Sequence, residues 1–270
     1  MEPQALRHEW LEAFTDDIEI REFSTADLSN ALVVVAFPTI GLVGYLAGNF
    51  IVNALKMKEI GAILSDRFIP AAIIHESTPS PPVRIYNAAH TCGPNGSCKN
   101  LVVIISEFMP DYDSIKPLVN AIFKWVESKG GDIILALEGT RMLNEEVPEG
   151  KGQVYGVGST PEMKKILDDC GIKQTKEGLI TGVTGVLLYD GTLKHRNVLC
   201  LLSESDPALP DARAAGFLIE KMDSLIPGLK VNAQPLFEQA EEIENTIRRF
   251  IEQSEPAMVT RSTMNPTMYG

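Results

Sequence analysis

The regular pattern of the chain opens at Ala31 to Phe37, an unbroken apolar and β-branched run ending at Pro38, which predicts a strand buried on both faces. Thr39 then stands as N-cap of an apolar helix from Ile40 to Leu55, whose small residues Gly44, Ala47 and Gly48 allow a sheet to approach closely. Gly61 to Leu64, Ala71 to His75 and Val83 to Ala89 read as three short strands with no helix between them, an antiparallel or mixed extension of the sheet. A βαβ unit follows, with strands at Leu101 to Ile105 and Asp132 to Leu137 around an amphipathic helix, Ser114 to Lys129, that Gly130-Gly131 stops. Val154 to Val157 predicts a strand, and Thr160-Pro161 opens a helix to Asp169 with threonine at N-cap and proline at N1. Val183 to Tyr189 and Val198 to Leu202 read as two further strands, and Leu209 to Leu225 as a helix closed by Pro227-Gly228. Strands and helices in this alternation specify an α/β fold, a mostly parallel sheet with helices on both faces.

The pattern changes near the end. From Pro235 to Gln253, Leu236, Ala240, Ile243, Ile247 and Ile251 recur every three or four positions among glutamates, a helix with one narrow apolar stripe. That stripe packs against its own domain, the reading we prefer, or forms a seam with another copy. Beyond Pro256 no periodicity remains, and a mobile tail is expected. The expected organisation is a core domain over 18–228, an amphipathic helix over 229–254 and a flexible tail over 255–270. Near the other end, Trp10, Leu11 and Phe14 are spaced to pin a short helix to the body.

Charge narrows the partners. The 270 residues carry 24 Lys and Arg against 36 Asp and Glu, a net charge of −12, with no run of Lys and Arg longer than a pair such as Arg248-Arg249. Nucleic acid and anionic membrane are therefore disfavoured. The first residues offer neither a basic stretch nor an apolar one, so no signal peptide is expected and the protein is read as cytoplasmic. The most apolar helix, Ile40 to Leu55, falls short of the roughly 20 residues a bilayer needs.

Of four cysteines, Cys170 and Cys200 read as small buried hydrophobes. Cys92 and Cys98 bracket a Gly-Pro-Asn-Gly-Ser loop close to His90. A local disulfide, a metal site lacking an identifiable fourth ligand and a bare hairpin loop all remain open there. No cofactor is expected.

Several strands end in acids: Asp66, Glu76, Glu107, Glu138 with Thr140, and Glu204. Carboxylates gathered beyond the C-terminal ends of parallel strands form a candidate crevice for acid–base chemistry or a divalent cation. The turn carrying Thr39, Gly41 and Gly44 offers a weak anion cradle to the same crevice, although close helix contact explains both glycines as well. No catalytic histidine or nucleophile motif accompanies them. The sharpest signal is the terminal Met268-Tyr269-Gly270. An apolar anchor, an amphipathic ring and a free carboxylate make a plug that fits a pocket containing a lysine.

Ala31 to Gly44, with Phe37-Pro38-Thr39-Ile40-Gly41-Leu42-Val43-Gly44, and then Glu138-Gly139-Thr140, resemble the proteasome assembly chaperone 2 family, in particular its archaeal homologues. The resemblance runs from about Ile18 to Leu225. It implies a fold similar to the nucleoside phosphorylases without their activity, homo-oligomers of one chain type, and a role in assembling the α ring of the 20S proteasome. It also implies that the hydrophobic-tyrosine-any tail enters pockets between adjacent α subunits. Met268 would fill the apolar part, Tyr269 would pack and hydrogen-bond, and the Gly270 carboxylate would meet a lysine. The Cys92 to Cys98 loop is not a feature of that family. The competing reading is a phosphorylase- or hydrolase-like enzyme using the acidic strand ends, with Arg67, Arg84 and Arg141 as candidate phosphate ligands. A third is a metabolite-binding domain with its ligand in the crevice.

Overall fold

A computed structural model of the chain describes residues 18–242 apart from 25–27, 76, 93–97, 142–151, 206 and 208. Its centre is four parallel strands: β2 (Ala31–Ala36), β7 (Cys98–Ser106), β8 (Ile133–Thr140) and β11 (Asn197–Glu204). Antiparallel partners extend this centre on both sides. On one side stand β1 (Glu19–Glu22), β3 (Lys58–Leu64) and β6 (Val83–Cys92); on the other, β9 (Val154–Gly158), to which the short β10 (Lys173–Gln174) adds in parallel. The full order is β1-β3-β6-β7-β2-β8-β11-β9-β10.

The apolar strands are buried on both faces, as their unbroken runs require. Leu32, Val34 and Ala36 of β2 join one core, which takes in helices α1 (Val43–Ala54), α3 (Pro161–Asp169) and α5 (Ala212–Leu225). Val33 and Val35, one residue out of step, join the other, under α2 (Tyr112–Ser128) and α4 (Gly182–Lys194). Residues 234–242 are helical, and Leu236 and Ala240 lie in the first core, so this stretch packs on its own domain.

Four expectations need correction. Val183 to Tyr189 is not a strand but part of α4: a short apolar run rich in valine fits either element, and a predicted strand of that length conceals a helix whose buried face is supplied by Val183, Leu187 and Leu188. Ala71 to His75 does not join the main sheet. Its ordered part, β4 (Ile73–His75), pairs with β5 (Thr78–Ser80) as a separate hairpin. Thr39 does not cap a continuous helix. Ile40–Leu42 form a 3-10 turn in which Gly41 (φ 60°) and Leu42 (φ 52°) are left-handed, the helix proper begins at Val43, and the Thr39 side chain makes no capping bond. The last core helix starts at Ala212 rather than Leu209, with the Asp211 side chain accepting from Ala214 N at 2.8 Å. At the cysteine loop the backbones of Cys92 and Cys98 pair across the β6–β7 hairpin. The loop itself lies outside the described residues, as do the first seventeen residues and the stretch from Ile243 to Gly270 that includes the tail.

Candidate functional site

The parallel strands deliver their ends to one edge of the sheet, but pleating divides the acids between its faces. Glu138, on β8, turns toward the α2 and α4 side, where it is 5% exposed. Burial pushes its carboxyl up to about 7, against the pull of hydrogen bonds from Thr184, in the first turn of α4, and from Thr39. Thr39 Oγ1 is buried and makes no hydrogen bond of full geometry, so Thr184 is the firmer of the two partners. The Cys200 thiol faces the same carboxyl, and burial, then Glu138, raises it well above the usual thiol range.

The glycines of the preceding turn serve close approach. A Cβ on Gly44 would fall on Leu137 O, and one on Gly139 would fall on Ile40 O, so turn and strand lie backbone to backbone. Gly41 O accepts from Asp211 N at 2.8 Å, tying the turn to the start of α5. Thr140 extends the same strand end. Its carbonyl accepts from Ser205 N at 2.8 Å and its hydroxyl lies 3.4 Å from Arg141 O. Thr39, Gly41, Gly44 and Glu138 are thus brought together, with Thr140 on their rim.

Glu107 is not part of that group. It leaves β7 on the opposite face, accepts from Tyr45 Oη at 2.6 Å and pairs with Arg84, whose side chain is 6% exposed. Burial first, then Glu107, pushes the Tyr45 phenol up to about 12. Arg84 also stands 5.8 Å from the Tyr86 ring centroid. Arg84 is therefore committed to neutralising Glu107 rather than offered to a phosphate. Arg67 sits in the exposed turn after β3, and Arg141 follows the end of β8. Glu204, at the end of β11, lies 3.4 Å from Tyr155 Oη. Glu76 lies outside the described residues.

Two surface hollows, of 430 and 660 Å³, open away from Glu138, one at the start of β8 and β11 beside Asp132 and Arg196, the other between Lys56, Lys58 and Asn87. Among the described residues no group of three His, Cys, Asp or Glu is placed to hold a metal ion, and no helix is long and apolar enough to cross a membrane. Thr184 and Tyr45 escape the sequence reading: the first was hidden in a segment that reads as strand, and the second shows no local pattern linking it to Glu107.

The edge is thus a set of close backbone contacts around one protonatable carboxyl. The uncharacterized protein MJ0106 of Methanocaldococcus jannaschii is 27% identical over 255 residues, covering 94% of this chain and 99% of its own. Pyrococcus furiosus PbaA, an archaeal homolog of proteasome-assembly chaperone, superposes with a TM-score of 0.76 at 28% identity, covering 88% of this chain and 93% of its own. Pyrococcus furiosus PbaB, an archaeal proteasome activator, shares the fold with a TM-score of 0.71 at 22% identity, covering 87% of this chain and 99% of its own. The model of the PAC2 family matches residues 33–251, from the first parallel strand past the last described helix, and the chain belongs to that family.

Proposed function

We propose that this protein is a proteasome-binding assembly chaperone that acts as a homo-oligomer and docks on the α subunits of the 20S core. The observation that carries the reading is family membership across nearly the whole fold, together with likeness to PbaA over 88% of the chain at 28% identity. The engagement of Arg84 by Glu107 supports a binding role over phosphorolysis, because the buried cation closest in character to a phosphate ligand is already neutralised. Within this reading Met268, Tyr269 and Gly270 form the docking segment: Met268 supplies apolar contact, and Tyr269 a ring with a hydroxyl that bonds at depth. The acidic balance of the chain, −12, suits a basic rim on the partner.

The test compares the intact chain with one lacking Met268 to Gly270, and with Tyr269→Ala, for binding to an archaeal 20S core by light scattering and native gel. Binding by the intact chain alone supports both parts of the proposal. Equal binding by all three keeps the partner and removes the docking segment. No binding by any of them overturns the reading.

A further inference from the structure

The β6–β7 hairpin runs on past its neighbours in the sheet. On one side β3 begins to pair with it at Lys58, opposite Asn87, and on the other β2 begins at Ala31, opposite Asn100. Beyond the pair Ala89 and Asn100 the two strands have only each other among the described residues, and a two-stranded ribbon in water is marginally stable. The register changes within this overhang. From Val83 opposite Ser106 to Ala89 opposite Asn100 the partners advance one for one. Then β6 goes from Ala89 to Cys92 while β7 goes only from Asn100 to Cys98, so β6 carries one extra residue, a bulge. Had the ladder continued without it, Cys98 would lie opposite Thr91, and Cys92 would belong to the other face of the ribbon. The bulge instead makes Cys92 and Cys98 direct partners.

We propose that Cys92 and Cys98 are a redox-controlled clasp, an intrachain disulfide that closes across the overhanging end of the β6–β7 hairpin and pins its register. Direct partners in an antiparallel ladder stand about 4.5–5.5 Å apart at Cα, inside the roughly 4.4–6.8 Å that a disulfide spans. The cross-link supplies what the overhang lacks, since no third strand fixes the pairing there. The sequence around these thiols favours their reaction over that of the other two. Residues 77–106 contain no carboxylate although the chain carries a net −12, so the hairpin brings no negative charge of its own to oppose a thiolate, and Lys99 follows Cys98 directly. Burial, by contrast, raises the thiols of Cys170 and Cys200. The oxidant is a low-molecular-weight disulfide. The thiolate of one cysteine attacks it to form a mixed disulfide and releases one small thiol; the other cysteine then attacks the protein sulfur of that bond and releases the second. The protein gives up two electrons and two protons, and both pairs leave in the two small thiols. An excess of small thiol runs the same steps backward and opens the clasp.

The clasp is independent of docking on the proteasome, and it is tested on the full chain by mass. The protein is equilibrated with graded mixtures of oxidised and reduced glutathione in the presence of a chelator, quenched in acid, denatured and alkylated with N-ethylmaleimide. Trypsin cuts after Arg84 and after Lys99, so both cysteines fall in one peptide, Ile85 to Lys99. Oxidation is expected to leave this peptide unlabelled and two hydrogens lighter while Cys170 and Cys200 take the label, and to slow amide hydrogen exchange within it. The control is His90→Cys with Cys92→His, which keeps composition and both thiols but puts them out of register in the ladder with or without the bulge. It should need a glutathione mixture about tenfold more oxidising for half closure. A wild-type peptide that is labelled at both cysteines in every mixture, or that is cross-linked only between two chains, overturns the proposal. Equal midpoints for the wild type and the exchanged variant, with the same circular dichroism, overturn the role of register and leave nearness in sequence as the cause. Unchanged hydrogen exchange on closure overturns the pinning of the hairpin.

Discussion

Glu138 is the residue with the most to reveal, because its carboxyl titrates in the range where cells live. Its pKa is raised by burial from 4.5 to about 7, so the fold holds the proton more tightly than the unfolded chain does. For an acid shifted in this direction the stabilisation is fully present below the unfolded value and is lost as pH rises through the folded one. Between pH 4.5 and 7 the protein should therefore lose about 3 kcal/mol of stability from this one group. Glu138→Gln, which keeps a neutral side chain of similar shape, should flatten that part of the profile. Urea unfolding at pH 5 and pH 8 measures it, and a variant that retains the full wild-type slope would show that the dependence comes from elsewhere. Gly44 tests the backbone contact beside it. Because a methyl group there would fall on Leu137 O, Gly44→Ala should cost about 3 kcal/mol, read from the shift in the urea midpoint.

At the scale of elements, the two threonines that precede α3 and α4, on opposite faces of the sheet, look alike in sequence and behave differently. Thr160 accepts from Met163 N at 3.3 Å, with Pro161 at the first helical position, whereas Thr181 makes no capping bond to α4. Thr160→Ala should cost about 1 kcal/mol and Thr181→Ala close to nothing, a contrast that thermal unfolding of the two variants resolves. The same contrast explains what could be read in advance. The parallel centre was legible because Ala31 to Phe37, Leu101 to Ile105 and Val198 to Leu202 are apolar throughout, as strands covered on both faces must be. The helix at Thr160 was legible because cap and proline are local chemistry. The α4 helix was not, since Val183 to Tyr189 carries strand-like valines and no cap bond to mark its start. The short edge strand β1, Glu-Ile-Arg-Glu, has one half-buried residue and three exposed, too little periodicity to register. The crevice was legible only in part: strand ends can be located from sequence, but whether Glu107 and Glu138 share a face depends on where each pleat falls. One residue of offset sent them to opposite sides.

At the scale of the whole molecule, the proposed docking segment and the proposed homo-oligomer meet in one measurable quantity. A short docking segment makes a small contact, and a single copy of it binds weakly. Where several copies are presented by a homo-oligomer, each further engagement is intramolecular, and the gain in apparent affinity is set by effective concentration rather than by any new contact. A single peptide ending in Met268-Tyr269-Gly270 should therefore bind the 20S core about a hundredfold more weakly than the intact chain. Fusing that peptide to a separate dimerising helix should restore part of the loss, because any geometry that lets two tails reach the ring supplies the missing concentration. Surface plasmon resonance on immobilised 20S core distinguishes the cases. If the peptide binds like the intact chain, one docking segment is sufficient and oligomerisation serves another purpose. If it binds weakly and the fusion does not rescue it, a surface of the folded domain itself touches the proteasome.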